Sequence, residues 1–165
     1  MSDTDTYIEI QRLVSLYCTA VDDGDGCAMA SLFVPDGRLV VYSPGDKPCL
    51  DTPLRQWESA DRFAGLIENL RQSYVRWFHF LGGHWSEPNG DVAHGQTYLM
   101  AHHLCEDADG SMSEEIALVR YFDTYVREES GWKFKIRNAV RQWTNVHSLG
   151  AIDHKIDLAL QRPAS

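Results

Sequence analysis

Three late segments constrain the fold more than any other feature of the chain. Residues 92–104, 115–126 and 132–143 each carry apolar and aromatic residues in near-alternation, the period of an extended strand. The hydrophilic run CEDADGSMSE joins the first two, and the turn Glu128-Glu129-Ser130-Gly131 joins the last two. Strands this close in sequence pair as antiparallel hairpins. In the middle strand Ala117, Val119, Tyr121 and Tyr125 alternate with Ile116, Leu118 and Phe122, so both faces are apolar. One face needs a helical layer over it. The other favours contact with further copies of the chain, a homo-oligomer.

The helical layer is legible upstream. Ile10, Leu13, Val14, Tyr17, Ala20 and Val21 fall on one face of a helix predicted over residues 7–22. Asp22-Asp23-Gly24-Asp25-Gly26 then forces a turn. Ala28, Met29, Leu32 and Phe33 predict a short second helix over 27–34, closed by Pro35-Asp36-Gly37. A short strand over 38–42 leads to a proline-rich loop over 43–53. Phe63, Leu66, Ile67 and Leu70 predict a third helix over 57–72, and residues 73–85 read as an aromatic extended segment. Asn89-Gly90-Asp91 is a tight turn, and Ile156, Leu158 and Leu160 would add a short edge near the end.

This order predicts an α+β fold: a curved, mainly antiparallel sheet wrapped over N-terminal helices, a cone open at one end. Without internal repeat or linker, the 165 residues read as a single domain, with its core over about residues 7–147 and a tail over 148–165.

A formal net charge of −9 argues against a nucleic-acid or anionic-membrane surface, either of which needs a basic stripe. No apolar run reaches the length of a membrane span, and the acidic start MSDTDTYIEIQ is unlike a signal peptide. Cys18, Cys27, Cys49 and Cys105 form no CxxC pair and read as thiols. A cytoplasmic protein is expected.

Seven histidines raise the question of a metal, but neither HExxH nor a finger spacing is present. His102 and His103 are neighbours in a strand and point to opposite faces, and His79 and His84, five apart, would do the same in a regular strand. Phosphate-binding glycine loops and the GxSxG elbow are absent as well. His79, inside the apolar run Val75 to Leu81, remains, with Tyr17 on the apolar helix face and Asp22 at the helix end. Each alone has a plain structural reading as a core or turn residue.

Together the residues resemble a known family. Leu16-Tyr17, Val21-Asp22, Gly24-Asp25, Leu32-Phe33, Pro35-Asp36-Gly37, His79, Gly90-Asp91, and Gly131-Trp132 with Arg137 stand in the order and spacing of the SnoaL-like, scytalone-dehydratase-like branch of the nuclear-transport-factor-2-like superfamily. That branch includes bile-acid 7α-dehydratase and hexachlorocyclohexane dehydrochlorinase. The resemblance implies an Asp–His pair that removes a proton without a cofactor. His79 would be the base, Asp22 its orienting carboxylate, Tyr17 a hydrogen-bond donor to substrate oxygen, and Arg137 a contact for the leaving group or a carboxylate. Arg141 is the alternative to Arg137.

The expected function is a cofactor-independent lyase of the dehydratase type acting on a mostly apolar, ring-containing small molecule. An isomerase or cyclase using the same pair is the alternative, and a non-catalytic binding or assembly module is the third reading. The resemblance also implies a trimer, with a dimer second.

Overall fold

The structure, a computed structural model, describes residues 3–42 and 53–150. Cys49, most of the 43–53 loop and the apolar positions Ile156, Leu158 and Leu160 lie outside the described residues. The elements in chain order are α1 (Asp3–Asp22), α2 (Gly26–Ser31), β1 (Phe33–Tyr42), β2 (Arg55–Trp57), a 3-10 turn (Ala60–Arg62), α3 (Phe63–Ser73), β3 (Arg76–Asn89), β4 (Val92–Glu106), β5 (Met112–Glu128) and β6 (Gly131–Leu149). They form a six-stranded curved sheet in the order β2-β1-β6-β5-β4-β3. Every pairing is antiparallel except β1 with β6, which is parallel. Helices over an open, curved mixed sheet are the architecture expected from the sequence.

The core fills the space between the helices and the inner sheet face. Ile10, Leu13, Val14, Tyr17, Ala20 and Val21 are all buried, as their spacing requires. From the sheet come Leu99, Ala101, Ala117, Val119, Tyr121, Tyr125 and Phe134. The alternation in β5 is resolved by this burial. Ala117, Val119, Tyr121 and Tyr125 point inward, while Ile116, Leu118 and Phe122 are half-buried on the other face. That outer face also exposes Phe78, Phe80, Tyr98 and Trp143.

Helix α1 lies along β3 and is clamped at both ends. Near its start the Tyr7 hydroxyl donates to the His84 carbonyl at 3.1 Å, and at its end the Trp77 indole donates to the Val21 carbonyl at 2.7 Å. The helix stops in a Schellman turn: the Asp25 amide donates to the Ala20 carbonyl at 2.8 Å and the Gly24 amide to the Val21 carbonyl at 2.9 Å. Gly24 supplies the left-handed residue this motif needs, at φ +66°. Asp25 then caps α2 by accepting from the Ala28 amide at 2.8 Å.

The structure differs from the sequence expectation in several places. Phe33 and Val34 belong to β1, not to the second helix. Phe33 pairs with Phe134, the register then slips to Arg38–Ile136, and Pro35-Asp36-Gly37 is looped out between them. Proline has no amide to give the ladder, so a strand accommodates it in such an irregularity. Trp57 lies in the short strand β2, paired with Leu39, and α3 starts only at Phe63. β6 runs on to Leu149 because residues 144–149 pair with 112–117 of β5, a partner that local composition does not reveal.

The last difference is in β3. Leu81 pairs with Leu99 but His84 with Thr97, so Gly82-Gly83 carries one extra residue, a β-bulge. The bulge reverses the parity of the strand. His79, opposite Ala101, and His84, opposite Thr97, therefore share the inner face, contrary to the expectation for a regular strand.

The turn after α1 yields a stability prediction. Gly24→Ala places a Cβ on a left-handed residue and should cost about 1–2 kcal/mol, read as a lower urea midpoint. An unchanged midpoint would mean that the turn does not hold the end of α1 in place.

Candidate active site

The last turn of α1 and the middle of β3 bring Asp22 and His79 together across 57 residues of sequence. The Asp22 carboxylate lies 2.6 Å from His79 Nδ1 and also accepts the His79 backbone amide at 3.1 Å. The backbone bond fixes the carboxylate against the strand, and the side-chain bond fixes the ring. The arrangement offsets a local cost, since a carboxylate at a helix C-terminus faces the negative end of the helix dipole. With Nδ1 taken, Nε2 is the nitrogen His79 can offer to the cavity that it lines.

That cavity has a volume of about 240 Å³. Its apolar lining is built from Leu39, Val41, Leu54, Trp57, Leu66 and Leu70. His79, His103, Tyr17, Tyr121, Tyr74 and Arg141 also line it. Asp22 does not line it but stands behind His79, its side chain one-fifth exposed while that of His79 is 8% exposed.

Tyr17 is buried, with its ring edge-on to Phe33, Tyr121 and Phe134. Burial pushes its hydroxyl up to about 12, partly offset by the Arg137 charge, so it stays a protonated donor. Arg137 is fully buried and is not a cavity residue. Its guanidinium is packed against the rings of Tyr121 at 3.8 Å, Tyr17 at 4.1 Å and Phe134 at 4.6 Å from their centroids. Its Nε lies 3.5 Å from Asp123, which accepts a hydrogen bond from Tyr125 at 2.9 Å. Burial lifts the Asp123 carboxyl to about 6, with Arg137 drawing it back. Burial alone would weaken the hold of Arg137 on its proton, but Asp123 and the surrounding phenols raise its pKa above the usual value.

Of the four residues singled out in the sequence, Asp22, His79 and Tyr17 thus meet at the cavity wall or just behind it. Arg137 lies beneath the wall, behind Tyr17 and Tyr121, and the arginine that reaches the cavity is Arg141.

The sequence reading missed His103, Tyr74 and Glu115. His103 is buried, stacked on Tyr74 with centroids 4.2 Å apart and edge-on to His79 at 6.5 Å. Glu115 faces His103 Nδ1 at 3.5 Å, accepts the Tyr74 hydroxyl at 3.4 Å and lies 3.9 Å from Arg141. The signal available was parity: His103 stands two residues from Ala101, and so on the inner face. Among the described residues no group of three or more His, Cys, Asp or Glu is arranged to hold a metal ion, and no helix is long and apolar enough to cross a membrane.

The family model described as the SnoaL-like domain matches residues 2–138. The chain belongs to this family. Comparison with curated protein sequences finds no match. Among solved structures it is similar to hexachlorocyclohexane dehydrochlorinase LinA-type3 from Novosphingobium barchaimii LL02, at TM-score 0.68 and 17% identity over 91% of this chain and 94% of that one. A protein provisionally assigned as a scytalone dehydratase, from Novosphingobium aromaticivorans DSM 12444, is similar at TM-score 0.68 and 18% identity over 91% and 94% of the two chains. An NTF2-like protein with a cystatin-like fold, from Novosphingobium aromaticivorans, gives TM-score 0.60 and 23% identity over 81% and 80%. At such identities the likeness is one of fold, and it agrees with helices packed on an open, curved sheet.

The SnoaL-like site has a consequence for stability against acid. Burial holds His103 neutral down to about 3, aided by the nearby His79 and Arg141. An unfolded histidine takes up its proton near pH 6.5, so acidification from there toward pH 3 favours the unfolded chain. Stability should fall over that window by at most about 1.4 kcal/mol per pH unit from this residue. Asp123 acts in the opposite sense, since its raised folded value takes up a proton first. Comparing His103→Gln with wild type in urea titrations between pH 7 and 5 isolates the histidine. The variant should lose less stability on acidification, and equal losses would contradict a buried neutral His103.

Proposed function

We propose that this protein is a cofactor-independent lyase of the dehydratase type, acting on a ring-containing small molecule that is apolar over much of its surface. The observation that carries the proposal is the 2.6 Å contact of Asp22 with His79 Nδ1, with the histidine on the wall of a cavity. A carboxylate there holds the ring in the tautomer whose Nε2 lone pair is free, and it stabilises the imidazolium that forms when a proton is taken. His79 is the base and Asp22 its positioning carboxylate. The Tyr17 hydroxyl donates to the oxygen that gains charge as the adjacent C–H bond breaks.

Arg137 takes a different part from the direct contact first expected. Packed on the rings of Tyr17 and Tyr121, its fixed charge strengthens their hydroxyls as donors and favours negative charge on the substrate side. The reaction is then an elimination: His79 removes a proton, electrons move through the activating group, and the C–O or C–halogen bond breaks, a departing hydroxide taking the proton from His79 to leave as water and a halide leaving as the anion. The contact favours this reading over a non-catalytic module, which does not require Asp22 and His79 to touch.

Screening hydroxylated ring ketones and halocarbons for loss of water or halide supplies the assay. His79→Ala should lower turnover by about 10²–10⁴-fold, and Asp22→Asn by a comparable factor. If the two act as a unit, the double variant should be little worse than either single one. Tyr17→Phe should be milder. An active substrate turned over by His79→Ala at the wild-type rate would refute the assignment.

The apolar outer sheet face, with Phe78, Phe80, Tyr98 and Trp143 exposed, supports a homo-oligomer, a trimer first and a dimer second. Light scattering at micromolar concentration should report more than one copy, and a monomer would contradict this.

A further inference from the structure

The charges on the cavity wall run against the composition of the chain. The protein carries 24 Asp and Glu against 15 Lys and Arg. Yet the described cavity lining contains two arginines, Arg55 and Arg141, and no carboxylate. Asp22 stands outside, behind His79. Glu115 stands behind Tyr74 and Arg141 and is shared among three donors at 3.4–3.9 Å, all long for hydrogen bonds. Arg141 is thus loosely held, with its side chain 29% exposed. Arg55, on the edge strand β2, is exposed, and its side chain makes no hydrogen bond or ion pair among the described residues. Asn69 and Ser73 add neutral hydrogen-bonding groups to the same cavity.

Two cations without an anion in the described lining, in a cavity whose other lining is largely apolar, form a half-made recognition site. A neutral ring compound seated on Arg141, whose contact with Glu115 is long at 3.9 Å, would take that charge from water without offering it a closer partner. A planar carboxylate fits a guanidinium fork and takes two hydrogen bonds from it.

We infer that the substrate of the site argued above carries a carboxylate on its ring system, and that Arg141, assisted by Arg55, selects for it. This rests on the cavity being the substrate site, and it makes Arg141 and Arg55 specificity residues distinct from the proton-transfer pair. His103 stands between the two functions, close enough to feel the charges of both His79 and Arg141. The apolar ring would lie against Leu39, Leu66 and Trp57.

The test is a matched pair of probes, naphthoate and its neutral amide naphthamide, titrated by calorimetry at pH 7 into the full chain. Wild type should bind naphthoate at least about tenfold more tightly than naphthamide, the difference expected of a hydrogen bond to a charged group. Arg141→Gln should remove most of that preference, Arg55→Gln a smaller part, and Arg141→Lys should retain some of it. His79→Ala should keep the full preference while losing turnover, so loss of catalysis and loss of selectivity are separate readouts. Equal affinities for the two probes in wild type, or no binding of either at millimolar concentration, would overturn the inference. So would an Arg141→Gln protein that melts like wild type and still prefers the carboxylate. Should Arg141→Gln fail to fold, the wild-type comparison and Arg55→Gln decide by themselves.

Discussion

Asp22 and His79 can meet only because the end of α1 is fastened to β3. A helix end presents unpaired carbonyls, and here they are taken by the Schellman turn through Gly24 and by the Trp77 indole. Arg71 of α3 adds a hydrogen bond to the Gly24 carbonyl at 3.0 Å, tying the third helix to the same corner. The strand residue that follows Trp77 by two is His79, and its amide and ring both find the Asp22 carboxylate. Geometry at the site is therefore set by backbone capping, not by side-chain packing alone. That is the kind of support a group needing placement within a fraction of an ångström requires.

The second constraint is the charge buried under the cavity floor. Arg137 is fully enclosed, and its ion pair with Asp123 is long at 3.5 Å. A guanidinium in that position is costly to desolvate. Three aromatic faces offset part of the cost, because each presents its negative quadrupole to the cation. The same packing places the guanidinium directly against Tyr17 and Tyr121, two residues of the cavity lining.

Much of this was legible in the chain. The spacing from Ile10 to Val21 and the alternation in β4, β5 and β6 follow from burial of one face, so the α+β class could be read directly. Asp22 could be placed because Gly24 and the acidic turn end the helix there. Two features escaped, one because β3 is not a regular strand and one because a histidine pair across two strands shows only in their register. The bulge at Gly82-Gly83 puts His84 on the inner face with His79, and the pairing of β3 with β4 puts His103 beside His79. Arg137 and Arg141 could not be ranked from sequence. They are four residues apart on one strand, and only the curvature of the sheet buries one and opens the other to the cavity. Phe33 and Trp57, apolar at positions that suit a helix, were drawn into strands by partners distant in sequence, Phe134 for one and Leu39 for the other.

Proton removal by His79 depends on which of its nitrogens carries the proton when the ring is neutral. Nitrogen-15 NMR of the imidazole, in wild type and in Asp22→Asn, measures it directly. A proton on Nδ1, with Nε2 unprotonated and a clear change in the Nδ1 resonance in the variant, is the result predicted for a ring held by Asp22 with its base nitrogen toward the cavity. A proton on Nε2, or resonances that do not respond to Asp22→Asn, would contradict it.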